Sequence, residues 1–445
     1  MAITAESKIQ ALQRTLYRAA KADPGRRFHA LYDKIHRRDV LERAWEQVRA
    51  NRGAAGIDRI TLADVERHGV DLLLDELALE LKGETYRPLP SRRVLIPKPG
   101  QEEKRPLSIP AVRDRIVQAA LKIVIEPVFE ADFRPASFGF RPKKAAHDAL
   151  QVVIDESFRS RRWVVESDIA NCFSAIPHDR LMSAVEERII DRKVLKLLRS
   201  MLRAGVMEGG VVVHEGTGTP QGGVVSPLLC NVYLNRLDRK WEAQGPGVLV
   251  RYADDLLVMC RSRAEATKAL AQLTAVLAEL GLEPKASKTR IVHLEEGEEG
   301  FDFLGFHHRL VRARGRTGAR HIVFLARWPS RRAAQHARDR IRALTARERL
   351  LVPIEEVVGS VNRFLRGWAG YFRIGNSTRA FDKIRSYAFQ RLAIFVAHLH
   401  RRSTRWGFRH VGLSPNHLGL INLNGLVVAP RPYRSWRALV AEHRR

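Results

Sequence analysis

Val248 to Cys260 reads Val-Leu-Val-Arg-Tyr-Ala-Asp-Asp-Leu-Leu-Val-Met-Cys, two apolar runs that close on the adjacent carboxylates Asp254 and Asp255. Short apolar runs broken by a small polar centre predict a β-hairpin with the acidic pair at its tip. Two carboxylates side by side between buried strands repel each other, and keeping both ionised calls for a nearby cation. Asp-Asp alone is also the composition of an ordinary acidic turn, because Asp side chains bond to local backbone. The rest of the chain has to decide between the two.

Charge is the first discriminator. The 445 residues hold 77 Lys+Arg and 49 Asp+Glu, a net +28 that points to a polyanionic partner, most often nucleic acid. Residues 301–445 carry 29 Lys+Arg and 7 Asp+Glu, a net of 29 − 7 = +22, which leaves +6 for the first 300. One part of the chain grips, and the acidic hairpin lies outside it. Cys172, Cys230 and Cys260 are single and far apart in sequence, which argues against a disulfide framework or a structural zinc site. Met1 opens a polar segment with no apolar signal core, and no stretch is long enough to span a bilayer, so a soluble, intracellular protein with no membrane partner is expected.

Periodicity orders the chain. Helices are predicted over Ala5–Ala22, Phe28–Ala50 and Leu62–Lys82. Prolines at 88, 90, 97, 99, 106 and 110 exclude a helix next, and Arg93–Pro97 and Arg105–Pro110 read as two short strands joined around Gly100–Lys104. Asp114–Phe129 is a buried helix, Ser137–Pro142 a loop with two aromatics and an arginine, and Ala145–Phe158 a helix. Trp163–Asp168 is a strand ending on a third carboxylate, followed by a helix from His178 to Glu187. Gly216–Pro227 is glycine-rich and leads into the helix Leu228–Leu237. Ala264–Leu280 is an amphipathic helix, and Ile291–Leu294 and Phe301–Phe306 are strands. From Ser330 the chain is helical and basic, with core stripes through Ile354, Val357, Val361 and Leu365 and through Ile384, Leu392, Phe395 and Leu399. Gly407–Arg445 reads as an irregular tail.

A strand-end Asp168 beside a hairpin carrying Asp254 and Asp255 is the arrangement needed to bind two divalent metals for nucleotidyl transfer. Carboxylate oxygens suit Mg²⁺ and make His or Cys ligands unnecessary. Spacing alone does not bring Asp168 to Asp254.

At this point a resemblance becomes specific. Tyr252-Ala-Asp-Asp255 resembles the metal-binding box of reverse transcriptases. Gly218-Thr-Pro-Gln-Gly-Gly-Val-Val-Ser-Pro-Leu-Leu229 is similar to the block that bacterial group II intron-encoded reverse transcriptases carry just before it. Arg105–Pro110, Phe138–Pro142, Gly281-Leu282 with Lys285 and Lys288, and Phe303–Phe306 resemble further blocks, and Asn362–Phe372 resembles the maturase (thumb) domain. The resemblance covers roughly residues 35 to 400.

What the resemblance implies is an α+β right-hand polymerase: fingers and an antiparallel palm sheet with helices, followed by an α-helical thumb. Its divisions are a helical extension over 1–90, fingers and palm over 91–310, thumb over 311–400 and a basic tail over 401–445. It implies RNA-directed DNA polymerase activity with group II intron RNA binding and splicing assistance. Asp168, Asp254 and Asp255 become the catalytic metal ligands, with the Ile169 carbonyl as an extra ligand and two Mg²⁺ ions, Mn²⁺ being a substitute. Lys98 and Arg105 meet the dNTP triphosphate, Phe173 excludes a ribose 2′-hydroxyl, and Gln221, Gly222 and Gly223 approach the nascent base pair. Lys288 and the arginines 363, 366, 373, 379, 385 and 391 bind nucleic acid. The implied partners are group II intron RNA or another structured RNA template, a DNA primer or target, and dNTPs. The implied location is the bacterial cytoplasm, at the nucleoid when acting on DNA.

Ser174 stands where the family commonly has Asp, and 401–445 lacks cysteine, so the zinc-dependent HNH nuclease of many relatives is not expected. Two other readings remain open: a splicing factor that only binds RNA, and a stand-alone reverse transcriptase in phage defence, DNA repair or diversity generation.

Overall fold

The computed structural model describes residues 5–97, 104–208, 211–214, 216–219, 222–297, 299–314 and 321–428. The N-terminal part is helical, starting with Ala5–Ala22 as expected. The expected helix from Phe28 begins only at Tyr32, because the Leu31 and Tyr32 amides donate to the Asp191 carboxylate at 2.8 and 2.9 Å. Helical structure then stops at Ile35 and resumes over Arg38–Ala50. The expected helix Leu62–Lys82 is two, Leu62–His68 and Val70–Lys82, divided at Gly69 with φ +112°, a conformation only glycine takes readily.

These helices pack on Val112–Glu130, most of whose residues are buried. Pro127 inside that helix has no N–H to give the Ile123 carbonyl. Gln13 of the first helix supplies the missing donor, Nε2 to the Ile123 oxygen at 3.2 Å.

Three sheets follow. Strands β1 (Ser91–Pro97) and β2 (Lys104–Ile109) form the expected hairpin. Strand β3 is Trp163–Asp168, and two strands absent from the sequence reading, β4 (Val206–Glu208) and β5 (Val211–Val213), extend the hairpin in the order β2-β1-β4-β5. Strand β3 is the centre of the second sheet, with β6 (Val248–Tyr252), β7 (Asp255–Cys260) and β8 (Arg290–His293), in the antiparallel order β6-β7-β3-β8. The third holds β9 (Phe301–Phe303), β10 (Phe306–Arg314) and β11 (His321–Pro329). Phe301–Phe306 is therefore a hairpin and not one strand. Leu304 and Gly305 turn it with φ +49° and +79°, the pair of positive angles that matches the twist of the flanking strands.

The central sheet is covered on both faces, which explains its continuous apolar runs. Val165, Leu249 and Val258 enter one core with the N-terminal helices and the helix Ser226–Gln244. Val164, Val248, Val250, Leu257 and Met259 enter a second core with the helix Ala146–Phe158, the third sheet and the C-terminal helices. Those C-terminal helices are Arg331–Leu344, Ile354–Phe372, Thr378–Leu399 and Thr404–Leu413. The last corrects the irregular tail expected from Gly407. Gly407 is a close-packing residue, since a Cβ there would lie 2.2 Å from the Ala393 carbonyl oxygen. The chain then returns along the bundle, with Asn362 donating to the Gly419 carbonyl and accepting from the Ile421 amide.

Asp114 anchors the entry to β1, accepting from the Tyr86 hydroxyl at 2.6 Å and the Leu89 amide at 3.1 Å. Burial pushes its pKa from 3.8 to about 6. A raised carboxyl pKa means the fold favours the protonated form. That contribution is present below pH 3.8 and is lost as pH rises through about 6. At 1.36 kcal/mol per unit the loss is about 3 kcal/mol. Asp114→Asn is expected to flatten this dependence, read as urea midpoints at pH 4 and pH 7. A slope equal to that of the unmodified chain would refute the assignment.

Candidate active site

The three carboxylates converge. Asp168 ends β3 and Asp255 begins β7, and the two are directly paired across the sheet. Asp254 sits in the two-residue turn between Tyr252 and Asp255, and its carbonyl accepts from the Ile169 amide at 3.2 Å. The gap of 86 residues between Asp168 and Asp254 is thus closed by strand pairing.

The carboxylates are poorly solvated and crowd one another. Burial, then the charges of Asp168 and Asp254, push Asp255 up to about 7. Burial and the Asp168 charge raise Asp254, against which Lys288 and Arg105 act. The Lys288 ammonium is ion-paired with the Asp168 carboxylate. Burial opposes its charge, but that hydrogen bond and the three acids outweigh burial and raise its pKa. Lys288, expected at the nucleic acid, is paired here with Asp168.

Among the described residues, no three His, Cys, Asp or Glu side chains are set to hold a metal ion by themselves. The donor set nevertheless fits Mg²⁺, which commonly takes one or two carboxylates and fills its shell with water and substrate phosphates. Buried, mutually repelling carboxylates are also the groups that gain most from an added cation.

The turn is held from behind by Arg251, which has no solvent exposure. Its guanidinium donates to Asp238 through Nε at 2.8 Å and Nη2 at 2.5 Å, to Asn231 Oδ1 at 2.9 Å, to Ser137 Oγ at 2.8 Å and to the Ala253 carbonyl at 3.0 Å. Asn231 and Asp238 lie two turns apart on the helix Ser226–Gln244, so both reach the same guanidinium. The Ser137–Arg141 loop lies on the same turn: the Phe138 amide donates to the Arg251 carbonyl at 2.9 Å. A Cβ at Gly139 would stand 2.4 Å from the Ala253 nitrogen, so only glycine lets the loop come this close. The sequence reading missed Arg251, Asp238 and Asn231. A readable signal existed, since a guanidinium inside a buried apolar strand needs polar partners and a carboxylate is the strongest of them.

The remaining expected residues divide. Phe173 is buried, and its carbonyl accepts from the Thr219 amide at 2.6 Å, so the glycine-rich block rests on the backbone at Phe173. Beside it, Ser174, Arg93, Ser108 and Thr217 line a cleft of ≈ 210 Å³. Arg105 is exposed on β2, near enough to Asp254 to act on its charge. Lys98 and Gln221 lie outside the described residues. Gly223 is buried. Gly222 has φ +117°, and a Cβ there would lie 2.4 Å from the Ser108 carbonyl oxygen, so glycine is needed against β2. Arg363, Arg366, Arg373 and Arg379 are exposed and Arg385 is half-buried. Arg391 is a structural tie, donating to Thr345 Oγ1 at 3.1 Å and its carbonyl at 3.0 Å. Cys172 and Cys230, distant in sequence, are buried free thiols with their sulfurs 3.6 Å apart.

Acids on a palm sheet, with a β-hairpin on one side and a helical bundle on the other, define a palm, fingers and thumb. The class is a template-directed nucleic-acid polymerase. Residues 96–308 match the family described as reverse transcriptase (RNA-dependent DNA polymerase), and residues 334–412 match the group II intron, maturase-specific domain. Protein YkfC of Escherichia coli strain K12 is 33% identical over 356 residues, 71% of this chain and 91% of that protein. The group II intron-encoded protein LtrA of Lactococcus lactis subsp. cremoris is 36% identical over 212 residues, 48% of this chain and 35% of LtrA. An uncharacterized 91 kDa protein in the cob intron of Schizosaccharomyces pombe is 28% identical over 413 residues, 76% of this chain and 50% of that protein. The chain thus spans half or less of the latter two. It belongs to the reverse transcriptase family, of the group II intron-encoded reverse transcriptase/maturase type.

Asp238→Ala leaves Arg251 charged, buried and half-paired, and is expected to cost about 3–5 kcal/mol in denaturant unfolding. The double variant Arg251→Met/Asp238→Leu is expected to recover most of that stability. It should still extend primers poorly, because nothing then holds the Ala253 carbonyl. A double variant that is both stable and fully active would show that the turn needs no such support.

Proposed function

We propose that this chain copies RNA into DNA, extending a DNA primer with dNTPs, and that its helical thumb holds group II intron RNA and assists its splicing and mobility. The observation that carries the polymerase reading is the pairing of Asp168 with Asp255 beside Asp254. Asp168, Asp254 and Asp255 would hold two Mg²⁺ ions, or Mn²⁺ in their place, with the Ile169 carbonyl as a further donor. Bound there, divalent cations supply activation of the primer 3′-hydroxyl and stabilisation of the pyrophosphate leaving group.

The chain's own residues do the rest. Arg105, exposed near Asp254, neutralises triphosphate charge, with Lys98 sharing that task. Phe173 selects deoxyribose by bulk, and its backbone is fixed by Thr219. Gln221 touches the base pair being formed. Lys288 orients the Asp168 carboxylate through their ion pair. A pure RNA-binding protein would have no use for three converging, desolvated carboxylates, which favours the enzyme over the binding-only reading. The match to the maturase-specific domain supports an intron RNA over other templates.

Asp254→Ala is expected to abolish primer extension on an RNA template, to below a thousandth of the normal rate, while RNA affinity in a filter-binding assay stays within about twofold. Normal cDNA synthesis by this variant would remove the acids from the reaction. Neutralising Arg363, Arg366, Arg373 and Arg379 together is expected to weaken RNA binding and flatten its salt dependence, by up to about 3 in the slope of log K against log salt. An unchanged affinity and slope would place the RNA on another face.

A further inference from the structure

The helix Thr404–Leu413 has one face turned inward and another that no part of the polymerase reading uses. Gly407 meets the Ala393 carbonyl and Val411 is fully buried, which fixes the helix against Thr378–Leu399. Ser403 caps it, its Oγ accepting from the Trp406 amide at 3.3 Å. Beside that contact stands a ladder of rings, whose inner member, Trp406, packs against Ala393, Val396 and Val411. Trp406 and His410 are stacked, with centroids 4.7 Å apart and planes at 14°. His400 meets Trp406 edge-on at 5.3 Å. Trp406 is half-buried, whereas His400 and His410 are exposed.

Around these rings lie Arg401, Arg402, Arg405 and Arg409, all exposed. Among the described residues, none of the four is in an ion pair. The chain near them offers no acid, with no Asp or Glu between Asp382 and Glu442. Four guanidinium groups with no ion pair among the described residues, beside an exposed ring stack, suit a ligand with regularly spaced anions and flat apolar faces. Duplexes supply the anions but keep their bases paired and stacked inside. Single strands supply both.

We propose that this face is a binding site for single-stranded nucleic acid, with an unpaired base stacking on His410, backed by Trp406, and phosphates meeting Arg401, Arg402, Arg405 and Arg409. The site is carried wholly by residues 400–410 and needs none of the palm acids. Stacking of this kind is tolerant of sequence, because every base has a flat face.

The test uses the full chain with its cleft filled by an unlabelled template-primer hairpin and no dNTP. Binding of a fluorescent 12-nucleotide oligo(dT) is measured across a salt series, beside a 12-base-pair duplex. His410→Ala is expected to weaken oligo binding about tenfold with the salt slope unchanged, and to leave duplex affinity and primer extension as they were. Glutamine at all four arginines is expected to lower the slope by about 3. His410→Phe should restore the oligo. Equal losses for oligo and duplex, or unaltered oligo binding in His410→Ala, would overturn the proposal. So would phosphatidylserine vesicles displacing the oligo. Asp254→Ala should bind the oligo normally, so failure of the catalytic assignment and failure of this site are separately visible.

Discussion

Arg251 joins four separate segments of the chain at one guanidinium: its own strand, the helix carrying Asn231 and Asp238, the loop at Ser137 and the turn at Ala253. Neither Arg251 nor the Asp238 side chain has solvent exposure, so the pair gives up hydration on both sides. Such pairs are no more stabilising than apolar side chains of the same size. The value of this one lies in direction. Two donors are committed to Asp238, and the others fix Asn231, the Ala253 carbonyl and the Ser137 loop. Ala253 itself has φ +57°, a strained angle for a residue with a side chain, and it is held there immediately before the two acids. Gly139 then allows the loop to close over that backbone.

Charge distribution follows the same division of labour. The palm concentrates three acids in partly dry surroundings and opposes them with Lys288 and Arg105. The C-terminal third is basic, and much of that charge faces water on the helical bundle. A polyanion drawn to the bundle would be repelled by bare palm acids, so the cations proposed at the acids would serve docking as well as chemistry.

Much of the palm was legible because its strands are buried on both faces. Trp163–Asp168 was read to the residue, and the Val248–Cys260 hairpin from its two apolar runs. Elsewhere local pattern was ambiguous. Val206–Glu208 and Val211–Val213 are three-residue strands, too short for any periodicity to show. Phe301–Phe306 looks like one strand because its turn residues, Leu304 and Gly305, lack the Asn or Asp that usually marks such a turn. The tail after Gly407 looks irregular because glycine is read as a breaker, whereas here it allows helix contact. At the site, the acids were legible from motif and the meeting of Asp168 with Asp255 only from strand register. Arg391 and Lys288 look like nucleic-acid contacts by composition, and only the fold shows them bonded to Thr345 and Asp168.

The central claim is that Asp168, Asp254 and Asp255 form one cation-binding unit on a turn set by Arg251. Anomalous diffraction from crystals containing Mn²⁺, a template-primer and a non-hydrolysable dNTP tests it most directly. The expected result is manganese at ligand distance, about 2.1 Å, from Asp168 and from Asp254 or Asp255, with the triphosphate completing the shell. A bound nucleotide with manganese held elsewhere, and Lys288 still paired with Asp168, would contradict it.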